Sequence, residues 1–394
     1  MKEFLRVDKT KILAGKKPVV LKGLNLGGWL MMEGYFMHSL NIAEQVFKKD
    51  FTGKLGPQEL KKFEKAFRDH FIQESDFAKI SKMGCNCLRV PFNYRLIEKK
   101  AYQYDKAGVR YLDEVVRWAR KYKLWIILDL HAAPGAQNHD WHSDSLGQAE
   151  LWNKKSFQRR TLSLWEFLAD RYKDEKAIAG YDVINEAVVG DVKKLNQFYA
   201  RVIKSIRKVD KNHILFIEGN NWATDIACLD DFDDDNLALS IHFYQPLDFT
   251  FNFVPQLSYP LKGFHKATIR KMVQGYARLA KKRARPVLVG EFGVNARAGL
   301  YGEDLWLKDT LACFEEAGFH WTYWTYKAVK NSVFPDGVFS YRGNPPWVNR
   351  PGPKLGWDNY AECWPKQKKE MASSWQTKSF AENKEILKVL KTYL

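Results

Sequence analysis

Two glutamates stand at the ends of strand-like runs in this sequence. Glu186 closes "YDVINE" (181–186), and Glu291 lies within "PVLVGEFG" (286–293). Two carboxyls held in unlike surroundings can break a glycosidic bond without a cofactor. One protonates the leaving oxygen, and the other sets an anion against the oxocarbenium-like centre. Their protonation must differ at the working pH, so their neighbours must push their pKa values apart. Arg89 and Tyr244 are expected to hold Glu291 ionised, since a cation and a hydroxyl both favour the anion. Glu186 needs a less stabilising setting to stay protonated, with His242 as its neighbour. Asn185 is then placed to donate to a sugar 2-hydroxyl, a contact that strengthens in the transition state. Trp324 offers a flat apolar face to a pyranose ring.

Each of these residues alone is a weak signal. A strand-terminal Glu also marks where a strand surfaces, a buried His is more often structural, and a Trp on a core strand more often packs. Their joint placement depends on the elements that carry them. Apolar or β-branched runs recur at 19–25, 87–92, 124–132, 178–187, 213–220, 237–244, 286–293 and 320–327. Amphipathic stretches lie between them, at 111–123, 157–173, 195–209 and 303–318. Continuous apolar strands alternating with helices predict a parallel sheet covered on its outer side. Eight such units predict a closed (β/α)₈ TIM barrel, an α/β fold forming one domain over residues 1–394. Its C-terminal strand ends meet at one face, where Arg89, His131, Asn185, Glu186, His242, Tyr244, Glu291 and Trp324 would converge. The opening "FLRVDKTKILAGKKPVVL" reads as a β-hairpin capping one mouth.

Composition narrows the class. With 45% hydrophobic residues among 394, the chain is too apolar for disorder and ample for a large core. Fourteen Trp and eighteen Tyr suit either a bulky core or a site for flat ligands. The net charge of +17 is spread over short basic runs without a nucleic-acid-binding pattern, so it reads as a solvated surface rather than a specific nucleic-acid partner. No apolar run is long enough to span a membrane, and the N-terminus lacks a signal-peptide core. Five scattered cysteines read as reduced thiols. A monomer in the cytoplasm is expected, with secretion the alternative had a leader been removed. No cofactor is expected. A metal-dependent hydrolase is disfavoured because His131 and His242 lack a third ligand at recognisable spacing.

Seven segments in order resemble glycoside hydrolase family 5, the retaining (β/α)₈ hydrolases that include cellulases, mannanases and exo-β-1,3-glucanases. They are "GLNLGGWL" (23–30), "LRVPF" (88–92), "LDLHAAPGAQN" (128–138), "YDVINEA" (181–187), "IHFYQP" (241–246), "VGEFGV" (289–294) and "WTYWTYK" (321–327). The resemblance implies a double displacement, with Glu291 as nucleophile and Glu186 as acid/base. It implies Asn185 as the 2-hydroxyl ligand, Arg89 and Tyr244 as residues orienting the nucleophile, and His131, His242 and Trp324 as walls of the cleavage subsite. The implied substrate is a β-linked glucan chain or oligosaccharide, with mannan or an exo-β-1,3-glucan as alternatives and a carbohydrate-binding barrel without turnover as the non-enzymatic one. "GGWLMMEGYF" and "APGAQN" are similar to the exo-β-1,3-glucanase branch. There Glu33 would grip the terminal sugar and Asn138 would join the binding set, although a loop carboxylate is an equal reading of Glu33. Trp29, Trp141, His142 and Trp222 follow strand ends and would line sugar subsites or pack within loops. The long segment 331–365 reads as a lid over the site, contributing Trp347 or Trp357, or as a packed extension holding a last helix at 380–394.

Overall fold

The eight apolar runs form the eight parallel strands of a closed barrel, in sequence order around its circumference. They are β1 (Lys22–Asn25), β2 (Cys87–Asn93), β3 (Trp125–Ala132), β4 (Ile178–Asp182), β5 (Ile214–Glu218), β6 (Leu237–His242), β7 (Val287–Phe292) and β8 (His320–Tyr323). The computed structural model describes residues 3–37, 39–329, 333–341 and 357–394. Closure is made by β8 on β1, with Trp321 opposite Lys22 and Tyr323 opposite Leu24. Every residue of β2 and of β4 through β8 is buried, which is why these strands read as unbroken apolar runs rather than alternating ones.

Outer helices return the chain from one strand to the next. The helix Lys106–Tyr122 starts where the Asp105 side chain accepts from Ala107 N at 2.9 Å, and it buries Val109, Leu112, Val115, Val116 and Ala119. The link from β1 to β2 carries three helices, Glu44–Leu55, Pro57–Phe71 and Glu74–Lys82. Phe47, Phe51, Phe63, Phe67 and Phe71 bury their rings there, against a helix at Tyr360–Trp375 whose Trp364 and Trp375 reach Phe63.

The structure corrects three expectations. The opening segment is a three-stranded antiparallel sheet rather than a hairpin, Leu5–Asp8, Lys11–Ala14 and Lys17–Val19. Leu5 and Ile12 pack with Leu21, Cys87, Ile214 and Leu288 at the strand beginnings, so the sheet plugs the mouth opposite the strand ends. β4 stops at Asp182, which leaves Asn185 and Glu186 on the following loop. Trp357 is 1% exposed and stacks on Phe47 at 4.8 Å, so it packs the outer helices and does not line the barrel mouth. Trp347 lies outside the described residues. The stretch 380–394 is a short strand, Phe380–Glu382, followed by a helix, Lys384–Tyr393. No described helix is long and apolar enough to cross a membrane, and Cys85, Cys87, Cys228 and Cys313 are free thiols.

Candidate active site

A cavity of about 610 Å³ opens at the strand ends, with Glu33, His131, Glu186, His242, Glu291 and Trp324 in its wall. Arg89, rising from β2 and fully buried, organises its floor. Its guanidinium donates to Glu291 Oε1 at 2.7 Å, Asp182 Oδ2 at 2.8 Å and Asn185 Oδ1 at 2.8 Å. Asp129 and Glu218 lie 3.1 and 3.2 Å from it. A guanidinium only donates, so Asn185 must face it with its oxygen. The Asn185 Nδ2 is thereby turned away, buried and without a hydrogen-bond partner among the described residues, although Asn185 is not itself among the residues that line the cavity.

Glu291 is fixed from both sides, because Tyr244 donates its hydroxyl to Oε2 at 2.8 Å. Burial pushes the Tyr244 pKa well above its usual value, and the Glu291 charge adds to this, so the hydroxyl keeps its proton. His242 and Glu291 are register partners on adjacent strands. Gly290, next to Glu291, lets β7 approach β6 closely: a Cβ there would lie 3.0 Å from Ser240 Oγ and 3.2 Å from His242 Nε2.

Glu186 is held in a left-handed backbone conformation, φ 47°, uncommon for a side chain of this size. Such strain persists only when its surroundings over-determine it. Here Glu186 N donates to Glu218 Oε2 at 2.5 Å, and Asn138 Nδ2 donates to Glu186 O at 2.9 Å. Asn138 is therefore a brace behind the acid's loop and does not line the cavity. The carboxylate itself sits 2.7 Å from His242 Nδ1 and 3.5 Å from His142 Nε2.

These neighbours decide protonation. Burial raises the Glu186 pKa, but the His242 hydrogen bond and the charges of His142, His242 and His131 outweigh it and hold the group at about 2. Burial lowers His242, yet Glu291, Glu218 and Glu186 together lift it well above the ordinary range. His142, pulled down by burial, is raised to about 9 by Asp140, Glu186 and Glu33. These shifts, Glu186 lowered and His242 raised, run against the expectation that Glu186 sits in a setting that keeps it protonated; the two groups share one hydrogen bond of 2.7 Å. Elsewhere, burial takes Glu33 to about 7 and Asp182 well above the usual carboxylate range.

His131 is set by Asp129 Oδ2 at 2.7 Å, and its ring stacks on Trp324 at 5.5 Å. Trp141, His142 and Trp222 line the cavity, Trp222 at its 38% exposed rim with Nε1 donating to Asp140. Trp29 does not; it is buried with Nε1 on Arg68 O and stacks on Trp118. Among the described residues one triplet, Glu186, His242 and Glu291, brings a possible metal-ligating atom from each within 4.8 Å of the others. His242 Nδ1 is hydrogen-bonded to Glu186 at 2.7 Å, while Nε2 lies 3.1 Å from Glu218 without the geometry of a hydrogen bond. The surrounding carboxylates raise the pKa of the ring and so favour its protonated form, which suits a proton-sharing group better than a metal ligand.

Glu218, at the end of β5, is the functional residue that sequence reasoning missed. Its signal, "FIEG" with a strand-terminal Glu, is the same one that marked Glu186 and Glu291. It touches Arg89, His242 and the Glu186 backbone at once. Glu218→Gln keeps the shape and removes the charge that supports imidazolium at His242. The expected result is a roughly tenfold or larger loss of kcat, with the alkaline limb of the kcat/KM profile moved to lower pH. An unmoved limb would leave Glu218 a packing role only.

Residues 49–330 match the model of the cellulase family, glycosyl hydrolase family 5. A beta-xylosidase of Phanerodontia chrysosporium is 34% identical over 348 residues, covering 83% of this chain and 71% of the relative. Endoglucanase C of Acetivibrio thermocellus is 28% identical over 349 residues, covering 79% and 92%. The crystal structure of an endoglucanase from the hyperthermophilic Thermotoga maritima shares the fold, with a TM-score of 0.65, 20% identity and 94% and 96% coverage.

Proposed function

This chain belongs to glycosyl hydrolase family 5 and is a glycoside hydrolase, and from that premise we propose that it cleaves β-linked glucan chains or oligosaccharides by double displacement at Glu291 and Glu186. The observation that carries the proposal is spacing. One oxygen of each carboxylate lies within 4.8 Å of the other, with a His242 nitrogen in the same cluster. So close an approach of single oxygens suits a retaining site, whose carboxyl groups stand about 5–5.5 Å apart, better than an inverting one, which needs roughly 6.5–9.5 Å to admit a water.

In the first step Glu291 attacks the anomeric carbon as the glycosidic C–O bond breaks. Glu186 gives its proton to the leaving oxygen, having drawn that proton from His242 along their shared hydrogen bond. Loss of the Glu291 charge on ester formation removes a carboxylate 3.6 Å from His242, which weakens the hold of the imidazolium on its proton. In the second step Glu186 takes a proton from water and passes it back to His242, the water oxygen attacks the same carbon, and Glu291 is released. Arg89 and Tyr244 keep Glu291 aimed, Asn185 Nδ2 donates to the sugar 2-hydroxyl, and Trp324 and His131 form the subsite wall. We take residues 1–394 as one catalytic unit.

A second reading, hydrolysis of β-xylosides, is favoured by the 34% identical beta-xylosidase. The test is a panel of aryl β-glucoside, β-xyloside and β-mannoside with the matching oligosaccharides, followed by NMR of the first-formed product. Glucosides are expected to exceed the others by roughly tenfold or more in kcat/KM, with the β-anomer released first. A first-formed α-anomer would refute retention, and a mannan-only result would refute the glucan reading. Binding without any product would favour a non-catalytic barrel.

A further inference from the structure

One loop reaches both the backbone and the side chain of Glu186. It is the turn at residues 138–143, after β3. Asn138 Nδ2 donates to Glu186 O at 2.9 Å, and Asn138 Oδ1 accepts from Asp140 N at 2.9 Å. Ser143 Oγ closes the turn, lying 3.1 Å from Asn138 O and 2.9 Å from Asp140 O. The turn so formed sets His142 Nε2 at 3.5 Å from two carboxylate oxygens, Asp140 Oδ2 and Glu186 Oε2. Trp222, from the loop after β5, donates Nε1 to that same Asp140 oxygen at 2.8 Å and pins it.

The Glu186 carboxylate is therefore shared by two imidazoles. His242 takes Oε1 at 2.7 Å, and Oε2, the oxygen it leaves over, faces His142. At 3.5 Å the second contact works by charge more than by hydrogen bonding. The titratable groups facing His142 are Asp140 on its own loop, Glu186 after β4, Glu33 after β1 and His131 on β3, whose ring centroid is 6.1 Å away. Three carboxyls against one imidazole favour the imidazolium, and the His142 side chain, 13% exposed, is little screened by water. An imidazolium in this place acts through Glu186. It favours the carboxylate over the carboxylic acid, which makes protonated Glu186 the stronger acid towards a leaving oxygen.

We infer that His142, oriented by Asp140 and Trp222, is a positioning residue for the acid/base: it keeps a cation beside the Glu186 oxygen that His242 leaves free, and so speeds proton delivery to poor leaving groups. This rests on the hydrolase reading above and adds a residue to its first step. The test is the pH profile of kcat/KM on phenyl and 2,4-dinitrophenyl β-glucosides, with the unmodified protein, His142→Gln and His142→Lys. His142→Gln is expected to lower kcat/KM on the phenyl glucoside roughly three- to tenfold below the alkaline limb. It is also expected to move that limb up by roughly one pH unit, the direction opposite to that of Glu218→Gln. The dinitrophenyl glucoside, whose leaving group departs without a proton, is expected to change by less than about twofold. His142→Lys restores a cation and should bring the limb back down. An unmoved limb in His142→Gln, equal losses on the two glucosides, or a limb equally raised in His142→Lys overturns the inference and leaves the hydrolase reading standing. Should neither variant fold, NMR titration of the His142 ring in the unmodified protein decides: a ring still protonated at pH 8 supports the inference, and one neutral by pH 7 overturns it. Failure of the unmodified protein on both glucosides would overturn the hydrolase reading and this inference with it.

Discussion

Glu291→Gln is expected to lower kcat for an aryl β-glycoside on the order of 10⁴-fold or more, because the amide cannot form the glycosyl ester. The change should not unfold the floor of the site. Arg89 loses one anionic partner but keeps Asp129, Asp182 and Glu218, at 3.1, 2.8 and 3.2 Å. Glu186→Gln is expected to cost about 10²–10⁴-fold with a poor leaving group such as a sugar, the range of a lost general acid. With dinitrophenolate, which departs without protonation, formation of the glycosyl-enzyme should be nearly spared and its hydrolysis should become the slow step. The two assignments therefore separate in one experiment. Glu186→Ala with azide should regain turnover and give a β-glycosyl azide, since azide needs no deprotonation to attack the same carbon. Glu291→Ala with azide should give the α-product, if any, because the anion then enters from the face that Glu291 occupied. Near-wild-type turnover in either Gln variant, or exchanged azide products, would refute the assignment of roles.

The barrel was legible because a strand buried on both faces advertises itself: β2 through β8 are runs that no surface strand or amphipathic helix would show. The glutamates and Arg89 were legible for the related reason that a charged side chain at the end of such a run needs an explanation. Glu218 offered the same signal and was passed over because no partner for it could be named from sequence; its three contacts come from β2, β6 and the loop after β4. Trp29 and Trp324 look alike as strand-following aromatics. Only tertiary packing sends the first into the outer helices and the second into the cavity. The Phe-rich helices between Glu44 and Phe71 carry sparse apolar positions whose partners, Trp357, Tyr360, Trp364 and Trp375, lie some 300 residues on. Phe334 sits in a loop with no periodicity at all, so its ring contacts with Tyr35, Trp141 and Phe251 are invisible before the loops are brought together. Protonation was the least legible property. The upward shift of His242 depends on Glu291, Glu218 and Glu186 converging from β7, β5 and the loop after β4.

Glu33 supplies the other large expected effect, with opposite signs in stability and activity. It is 3% exposed, its Oε1 is unpartnered among the described residues, and the nearest imidazole nitrogen, His131 Nε2, is 3.9 Å away. Burial raises its pKa from 4.5 to about 7. Between those values the folded state binds more protons than the unfolded chain, so stability falls as pH rises through this window and stays lower above it. A shift of this size corresponds to about 3 kcal/mol. Glu33→Gln is uncharged at every pH. It should match the wild type near pH 4 and exceed it by up to about 3 kcal/mol at pH 8, as measured by denaturant unfolding at both pH values. His142, whose folded pKa is raised to about 9, contributes its own decline as pH climbs from the unfolded value near 6.5, so Glu33→Gln should flatten the curve below pH 7 and leave the fall above it. Activity should move the other way. Replacing a charged acceptor for a sugar hydroxyl by a neutral one is expected to lower kcat/KM by roughly 10- to 100-fold. A carboxylate kept unpaired in a buried wall at that cost in stability has the energetics of a binding group. A Gln variant that is no more stable at pH 8 and fully active would return Glu33 to the role of an ordinary loop carboxylate.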